Sequence, residues 1–187
     1  MNTIIEDWND VDVPPAPKLS PVTVENDKTA LLMLDFQKNN CNLERRPRCV
    51  NTVIGVHNLL ETARTKNLSV VYSLTTKAEP NDILEHLVPL AEEPIVKSNV
   101  DKFFGTDLED ILNQACVDTV IIVGTAAEGA VLHTVTGACI RGFNVIVPVD
   151  GLSSSFEFAE QYTIWHLANS PGTKKRTILT RLNMISF

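Results

Sequence analysis

The sequence lacks any hydrophobic run long enough to cross a membrane. Its longest apolar segments, such as residues 119–123 and 145–149, are far shorter than the ~20 residues that a spanning helix needs. The first residues contain no basic segment followed by an apolar one, so we expect no secretion signal. Basic residues are also sparse: the net charge is −7, and the runs at 45–48 and 174–176 are short. We therefore expect a protein that binds neither membranes nor nucleic acid.

Cysteine and histidine are scarce, with four of each in 187 residues. No CxxC pair occurs, and no two histidines stand at the spacing of zinc ligands, so we predict no metal and no cofactor. Without a secretion signal, the four cysteines favour a reducing, cytoplasmic location. Cys116 and Cys139 follow apolar residues in predicted helices, and we expect both in the core.

Proline is concentrated in the first 28 residues, where Pro14, Pro15, Pro17 and Pro21 interrupt helix and strand hydrogen bonding. We predict that residues 1–28 form an arm that packs over the domain or onto a neighbouring subunit. Residues 29–187 then form a single α/β domain, a length that suits one hydrophobic core.

After the arm, short apolar runs alternate with segments of helical periodicity. This alternation predicts a three-layer, Rossmann-like fold, in which helices cover both faces of an open, mostly parallel, six-stranded sheet. Ligands of such sheets bind at the carboxyl ends of the strands. We therefore look for function at Asp35, at Lys97, after Gly124 and at Asp150. The predicted strands are 29–35, 68–74, 95–97, 119–124, 145–149 and 177–182, and the predicted helices are 50–66, 107–115, 129–140 and 156–168.

Three of these strand ends carry residues suited to chemistry. Asp35 closes the first strand, where burial can tune the proton affinity of a carboxylate. Lys97 closes the third strand; because a buried ammonium needs a partner, we expect it to pair with Asp35. The turn of small residues from Gly124 to Val131 enters a helix, and its backbone N–H groups suit an oxyanion. Taken singly, each feature also fits a cap, a surface lysine or a plain strand–helix turn.

In this order, the segments resemble the isochorismatase-like hydrolase superfamily. The shared features are Asp35-x-Gln37, Lys97 ahead of the Phe-Gly-Thr segment at 104–106, and the turn at 124–131. In cysteine members of that family an aspartate acts as base, a lysine stabilises charge and a cysteine attacks the substrate. The resemblance implies a homo-oligomer and a non-proline cis peptide at residues 125–126. It implies Asp35 and Lys97 as catalytic residues, and the following as substrate-binding residues: Gln37, Phe104, Thr125, Ala126 and Gly129.

Ala130 stands where most members of that family have the nucleophilic cysteine. A methyl group cannot form a thioester, so an acyl-enzyme at this position is excluded. Cys139 lies nine helical residues further on and is predicted to face away. Members that act on isochorismate can do without the cysteine, because their aspartate protonates a vinyl ether and water completes the hydrolysis. We therefore predict a hydrolase of a small polar or anionic metabolite that uses Asp35 and Lys97 without a thiol.

Two alternatives stay open from the sequence. One is a non-catalytic relative that kept the pocket and binds a small molecule. The other is an engineered Cys-to-Ala variant of a cysteine amidohydrolase. Glu128 and His133, which flank Ala130, can line the pocket rim or act only as a helix-start acid and a surface histidine.

Overall fold

The computed structural model describes residues 2–187, in which strands and helices alternate. The strands are β1 (Val22–Thr23), β2 (Thr29–Leu34), β3 (Ser69–Leu74), β4 (Ile95–Lys97), β5 (Thr119–Thr125), β6 (Asn144–Pro148), β7 (Leu152–Ser153), β8 (Thr177–Thr180) and β9 (Ile185–Ser186). The helices are α1 (Pro47–Thr65), α2 (Leu108–Gln114), α3 (Leu132–Ile140) and α4 (Glu157–Asn169), and a π-helical turn, Ala127–Val131, joins β5 to α3.

The central sheet is parallel and has the strand order β4-β3-β2-β5-β6-β8, with the short β7 paired to the end of β5. The predicted open, parallel sheet is confirmed, and all six predicted strands are present. The seventh strand, β7, was missed because two residues are too few to show a periodic pattern.

Alternate residues of β2 point to opposite faces of the sheet, as the strand period of two requires. Leu32 and Leu34 pack in a core with α2, α3 and α4, whereas Leu31 and Met33 pack in a second core with α1. Because all six residues of β2 are buried, its sequence is apolar at every position after Thr29.

The strand order reverses at β2. The chain first builds β3 and β4 on one side of β2 and then returns to place β5 on the other side. In open α/β sheets, the carboxyl ends of the two strands at such a reversal form the crevice where ligands bind. The crevice here lies after Leu34 and after Thr125.

Close packing of β2 against β5 at this crevice requires glycine at position 124. Gly124 has φ +150°, and a Cβ there would lie 2.3 Å from the backbone oxygen of Leu34 and 2.5 Å from its Cβ. Any larger residue would push β5 away from the residue that precedes Asp35.

The arm packs partly along its own domain. β1 and β9 form a separate two-stranded parallel sheet, and the Ser20 N–H donates a hydrogen bond to the Leu179 oxygen at 2.9 Å. Closer to the N-terminus, the ring of Trp8 lies 6.3 Å from that of Phe158 on α4. These contacts hold parts of the arm against its own domain.

One expectation about cysteine needs correction. Cys41 and Cys49 form a disulfide, a bond that is rare in reducing compartments, and the cytoplasmic location stays a prediction. Cys116 is exposed rather than buried, because it ends the turn after α2 with φ 57°. Cys139 is buried, as predicted. Among residues 2–187, no helix has the length and apolar character needed to span a membrane.

We expect Gly124→Ala to destabilise the fold by about 2–4 kcal/mol, because the added Cβ collides with backbone and the φ value is strained. Urea denaturation measures this loss. Gly172→Ala is the matched control, since a Cβ there meets no atom within 4 Å, and it should change the free energy of unfolding by less than about 0.5 kcal/mol. Equal effects of the two substitutions would contradict the role given to Gly124.

Candidate active site

Asp35 lies directly after β2, at the crevice, with the backbone in the left-handed region at φ 55°. Aspartate tolerates this region better than most residues, and the Asp35 N–H still donates to the Ser73 oxygen on β3 at 3.2 Å. The residue is only 3% exposed. A buried acid in a strained conformation at a strand end is typical of functional sites.

Both carboxylate oxygens of Asp35 accept hydrogen bonds. Oδ2 accepts from the Lys102 Nζ at 2.7 Å, and Oδ1 accepts from the Ser73 hydroxyl at 2.9 Å. Burial raises the pKa of Asp35 above its ordinary value, while Lys102, Ser73 and Arg46 act in the opposite direction. Asp35 is therefore suited to hold a proton at a higher pH than an exposed aspartate.

The ammonium of Lys102 uses all three of its N–H donors within the protein. Besides Asp35, it donates to the backbone oxygens of Ser98 at 2.9 Å and Asn99 at 3.0 Å. Its side chain is 0% exposed, and burial lowers its pKa while Asp35 opposes that shift. Lys102 thus holds Asp35 in place, with no N–H left over for a ligand.

The loop that carries Lys102 docks on α3. The Lys102 N–H donates to the Thr134 hydroxyl at 3.2 Å, and that hydroxyl donates to the Val100 oxygen at 3.3 Å. The fit is tight, because a Cβ on Gly137 would lie 2.7 Å from Oδ1 of Asp101. Packing against α3 therefore fixes the position of Lys102 relative to Asp35.

The prediction that Lys97 pairs with Asp35 is wrong. Lys97, the last residue of β4, directs its amine to Oε1 of Glu79 at 2.9 Å, and its side chain is 37% exposed. The buried lysine is Lys102, five residues later in the loop. Lys102 also precedes the Phe-Gly-Thr segment at 104–106, so the motif itself allowed either lysine. Lys97 was predicted because it ends a strand, and that choice was wrong.

The turn after β5 has the backbone that the resemblance implies. The peptide bond between Thr125 and Ala126 is cis. Ala130 lies in the π-helical turn that follows and is 4% exposed, whereas Ala126 and Gly129 are partly exposed at the crevice. The Thr125 hydroxyl donates to the backbone oxygen of Ser153 at 3.1 Å, so its O–H is not free to donate to a ligand.

Two other predicted substrate-binding residues differ in their surroundings. Gln37 is fully buried; its Oε1 accepts from Asn40 at 3.3 Å and from Thr75 at 3.1 Å. Its Nε2 has no partner among the residues that the structure describes. Phe104 is 77% exposed, and its role as a substrate-binding residue stays a prediction. Its neighbour Phe103 is the buried aromatic.

No free thiol lies at the turn. The two free cysteines of the described chain are Cys116 and Cys139. Cys139 Sγ lies 3.6 Å from the Thr177 hydroxyl on β8, and burial raises its pKa, which disfavours the thiolate. Cys41, which follows β2, is bonded to Cys49.

Sequence reasoning missed Ser73, Lys102 and Arg46 at this site. Arg46 is half-buried just before α1, and its Nη1 donates to the backbone and side-chain oxygens of Asn40, both at 3.3 Å. None of the three ends a predicted strand, so the strand-end rule does not select them. Asp150, which that rule does select, is exposed and accepts from the Leu182 N–H at 2.8 Å. Within residues 2–187, no three His, Cys, Asp or Glu side chains cluster as metal ligands would.

A family model described as "Isochorismatase domain" matches residues 29–176 of the chain. The N-carbamoylsarcosine amidase of Arthrobacter sp is 29% identical over 120 residues, which cover 60% of this chain and 46% of that protein. An uncharacterised isochorismatase family protein of Bacillus subtilis (strain 168) is 30% identical over 104 residues, covering 51% and 57% of the two chains. The chain thus spans about half the length of these curated relatives.

Solved structures share the fold at lower identity. An isochorismatase-like hydrolase from Alkaliphilus metalliredigens has a TM-score of 0.75 and 22% identity, covering 83% of this chain and 95% of that one. The nicotinamidase of Staphylococcus aureus has a TM-score of 0.72 and 19% identity, covering 83% and 99%. At these identities the likeness establishes the architecture.

Lys102→Met and Lys97→Met separate the two lysines. Removing one partner of a buried ion pair costs about 3–5 kcal/mol, so Lys102→Met should be strongly destabilising. Lys97→Met removes an exposed pair and should cost less than about 1 kcal/mol. Because burial raises the pKa of Asp35, its carboxyl in the Lys102 variant is neutral at low pH and ionised at high pH. The penalty should therefore grow as pH rises, which urea denaturation at acidic and mildly alkaline pH would measure. A larger loss for Lys97→Met would contradict the assignment.

Proposed function

Because the chain belongs to the isochorismatase domain family, we propose that it is a hydrolase whose active site centres on Asp35 and uses no cysteine nucleophile. The substrate is a small polar or anionic metabolite, and water is the attacking species. The observation that carries the proposal is the buried 2.7 Å contact between Asp35 and Lys102 at the crevice of the sheet. The cytoplasmic location and homo-oligomeric assembly stay predictions.

Asp35 acts as a general acid and a general base, in an order that the substrate sets. On a vinyl ether, the proton of the Asp35 carboxyl, which the raised pKa favours, passes to the terminal vinyl carbon, and the carboxylate then accepts a proton from the water that attacks the resulting oxocarbenium carbon. The hemiketal so formed breaks into a carbonyl product and an alcohol. On an amide, the Asp35 carboxylate first accepts a proton from the attacking water and then gives it to the leaving nitrogen. Ser73 and Lys102 hold the carboxyl in one orientation throughout, so Lys102 is a positioning residue.

The turn supplies donors for the oxygen that gains charge during the reaction. The backbone amides of Ala126 and Ala130 are the candidates on the β5 side. Gln37 offers a third donor from the β2 side, because its Nε2 is buried and unpartnered. A buried donor without a partner costs about 1–3 kcal/mol, and a bound acceptor removes that cost.

The names of the relatives indicate which bonds to test first. The Arthrobacter relative is an amidase and the Staphylococcus neighbour a nicotinamidase, so carboxamides and carbamoyl compounds form one group of substrates. Vinyl ethers form the other, because their hydrolysis requires an acid and water but no covalent intermediate.

A non-catalytic binding protein is the second candidate, and Ala130 is the observation that favours it. The methyl group fills a buried position of the turn and leaves the pocket without an attacking side chain. An engineered Cys-to-Ala amidohydrolase shares this geometry, and the coding sequence of the source separates the two.

We expect Asp35→Asn to lower kcat/KM at least about 100-fold on any substrate that the protein hydrolyses, because an amide cannot exchange the proton. Asp107→Asn, at an exposed position before α2, is the matched control and should leave the rate unchanged. Thermal unfolding confirms that both variants are folded. If no substrate in either group turns over but ligands raise the Tm, the binding protein is favoured instead.

Ala130→Cys tests the water mechanism, with Ala130→Ser as the control of similar size. If water attacks in the natural protein, the thiol should not increase amide hydrolysis, and mass spectrometry should find no acyl adduct. A large gain in amidase activity together with a covalent adduct at residue 130 would favour the site of a cysteine amidohydrolase.

A further inference from the structure

Two charged side chains near Asp35 have buried atoms without partners. Nε of Arg46 and Oε2 of Glu128 find no hydrogen-bond partner among residues 2–187, so these atoms do not bind each other either. A buried polar atom left unpaired is costly, and more so when its group is charged. A ligand that carries both charges would supply the partners that the protein does not.

Hydrogen bonds connect Arg46 to the Asp35 site. Its Nη1 donates to the side chain of Asn40 at 3.3 Å, and the Asn40 amide donates to Oε1 of Gln37 at 3.3 Å. The backbone N–H of Gln37 in turn donates to the backbone carbonyl oxygen of Asp35 at 2.8 Å. The guanidinium is therefore held on the same side of the crevice as the unpartnered amide of Gln37.

Glu128 approaches from the other side, in the π-helical turn two residues before Ala130. The segment after β7 links the two sides: β7 pairs with Gly124 and Thr125 at the start of the turn, and the Ser155 hydroxyl donates to the Arg45 oxygen at 3.3 Å. The charges also interact, since burial and Arg45 lower the pKa of Arg46 while Glu128 and Asp35 raise it.

The loop that presents Arg46 is held rigidly. The disulfide between Cys41 and Cys49 closes it on both sides of Arg46, and Oδ1 of Asn42 accepts from the N–H groups of Glu44 at 3.1 Å and Arg45 at 2.9 Å. A charge fixed before the ligand arrives loses little entropy on binding and so contributes more to affinity.

We propose that Arg46 and Glu128 together bind the zwitterionic end of an amino-acid-like substrate, with its carboxylate on Arg46 and its ammonium on Glu128. This inference rests on the proposed function, because it places the bond to be broken at the other end of the ligand, toward Asp35. It identifies the substrate class as an α-amino acid whose side chain ends in a hydrolysable polar group, such as a carboxamide or ureido group.

Three small probes that share one carbon skeleton, apart from the deleted group, test the proposal on the unmodified protein. L-Glutamine has both charges, 4-carbamoylbutanoate lacks the ammonium, and 4-aminobutanamide lacks the carboxylate. Isothermal titration calorimetry should show that L-glutamine binds at least about 30-fold more tightly than either of the others, because each lost charge leaves its partner buried and unpaired. Equal affinities for the three probes, or no binding of any of them, would overturn the proposal.

Variants assign the two ends of the ligand. Arg46→Gln should abolish the preference for L-glutamine over 4-aminobutanamide, and Glu128→Gln should abolish the preference over 4-carbamoylbutanoate. Glu44→Gln and Lys175→Gln, both at exposed positions, are the matched controls and should keep both preferences. A preference that survives in both site variants would contradict the assignment.

Asp35→Asn separates this proposal from the proposed function. Selective binding of L-glutamine that persists in Asp35→Asn, without turnover in the unmodified protein, would support the recognition pair and reject the hydrolase. Turnover that requires Asp35 but does not discriminate among the probes would support the hydrolase and reject the recognition pair.

Discussion

The buried contact between Asp35 and Lys102 is the constraint on which the rest of the site depends. Removing two charges from water costs several kcal/mol for each ion, on the order of what their attraction returns. The protein offsets this cost with a 2.7 Å contact, the Ser73 hydroxyl, and two backbone oxygens on the ammonium. β2, β3, the loop after β4 and α3 must all be in place for these bonds to form, so the fold and the ion pair are specified together.

The sequence predicted the architecture because most of the sheet is buried on both faces. Runs such as residues 30–34 and 120–123 are apolar without interruption, which is typical of strands between two helical layers. The strands that it missed, β1, β7 and β9, have two residues each. Such segments are too short to show the alternating pattern of a strand. Their positions depend on pairing with distant segments, as β1 pairs with β9, and that information is absent from any local pattern.

Functional residues at the ends of strands could be predicted from the sequence, whereas functional residues in loops could not. Asp35 and the turn at 125–130 were found in this way, but Lys102 was not, because its burial depends on Thr134 and Gly137 of α3. The sequence also does not show which of the two adjacent aromatic residues, Phe103 or Phe104, faces inward, since that is decided by docking of the loop. The pairing of Cys41 with Cys49 likewise depends on how the chain folds back before α1.

The geometry around Lys102 also limits how the site can change by substitution. Three oxygen acceptors converge on a single nitrogen, an arrangement that a tetrahedral ammonium fits. A planar guanidinium spreads its N–H groups over three nitrogens and is bulkier, so arginine would leave some of these acceptors unmatched in a space without solvent. Replacing lysine by arginine is conservative on the protein surface, but at position 102 only lysine satisfies all three acceptors.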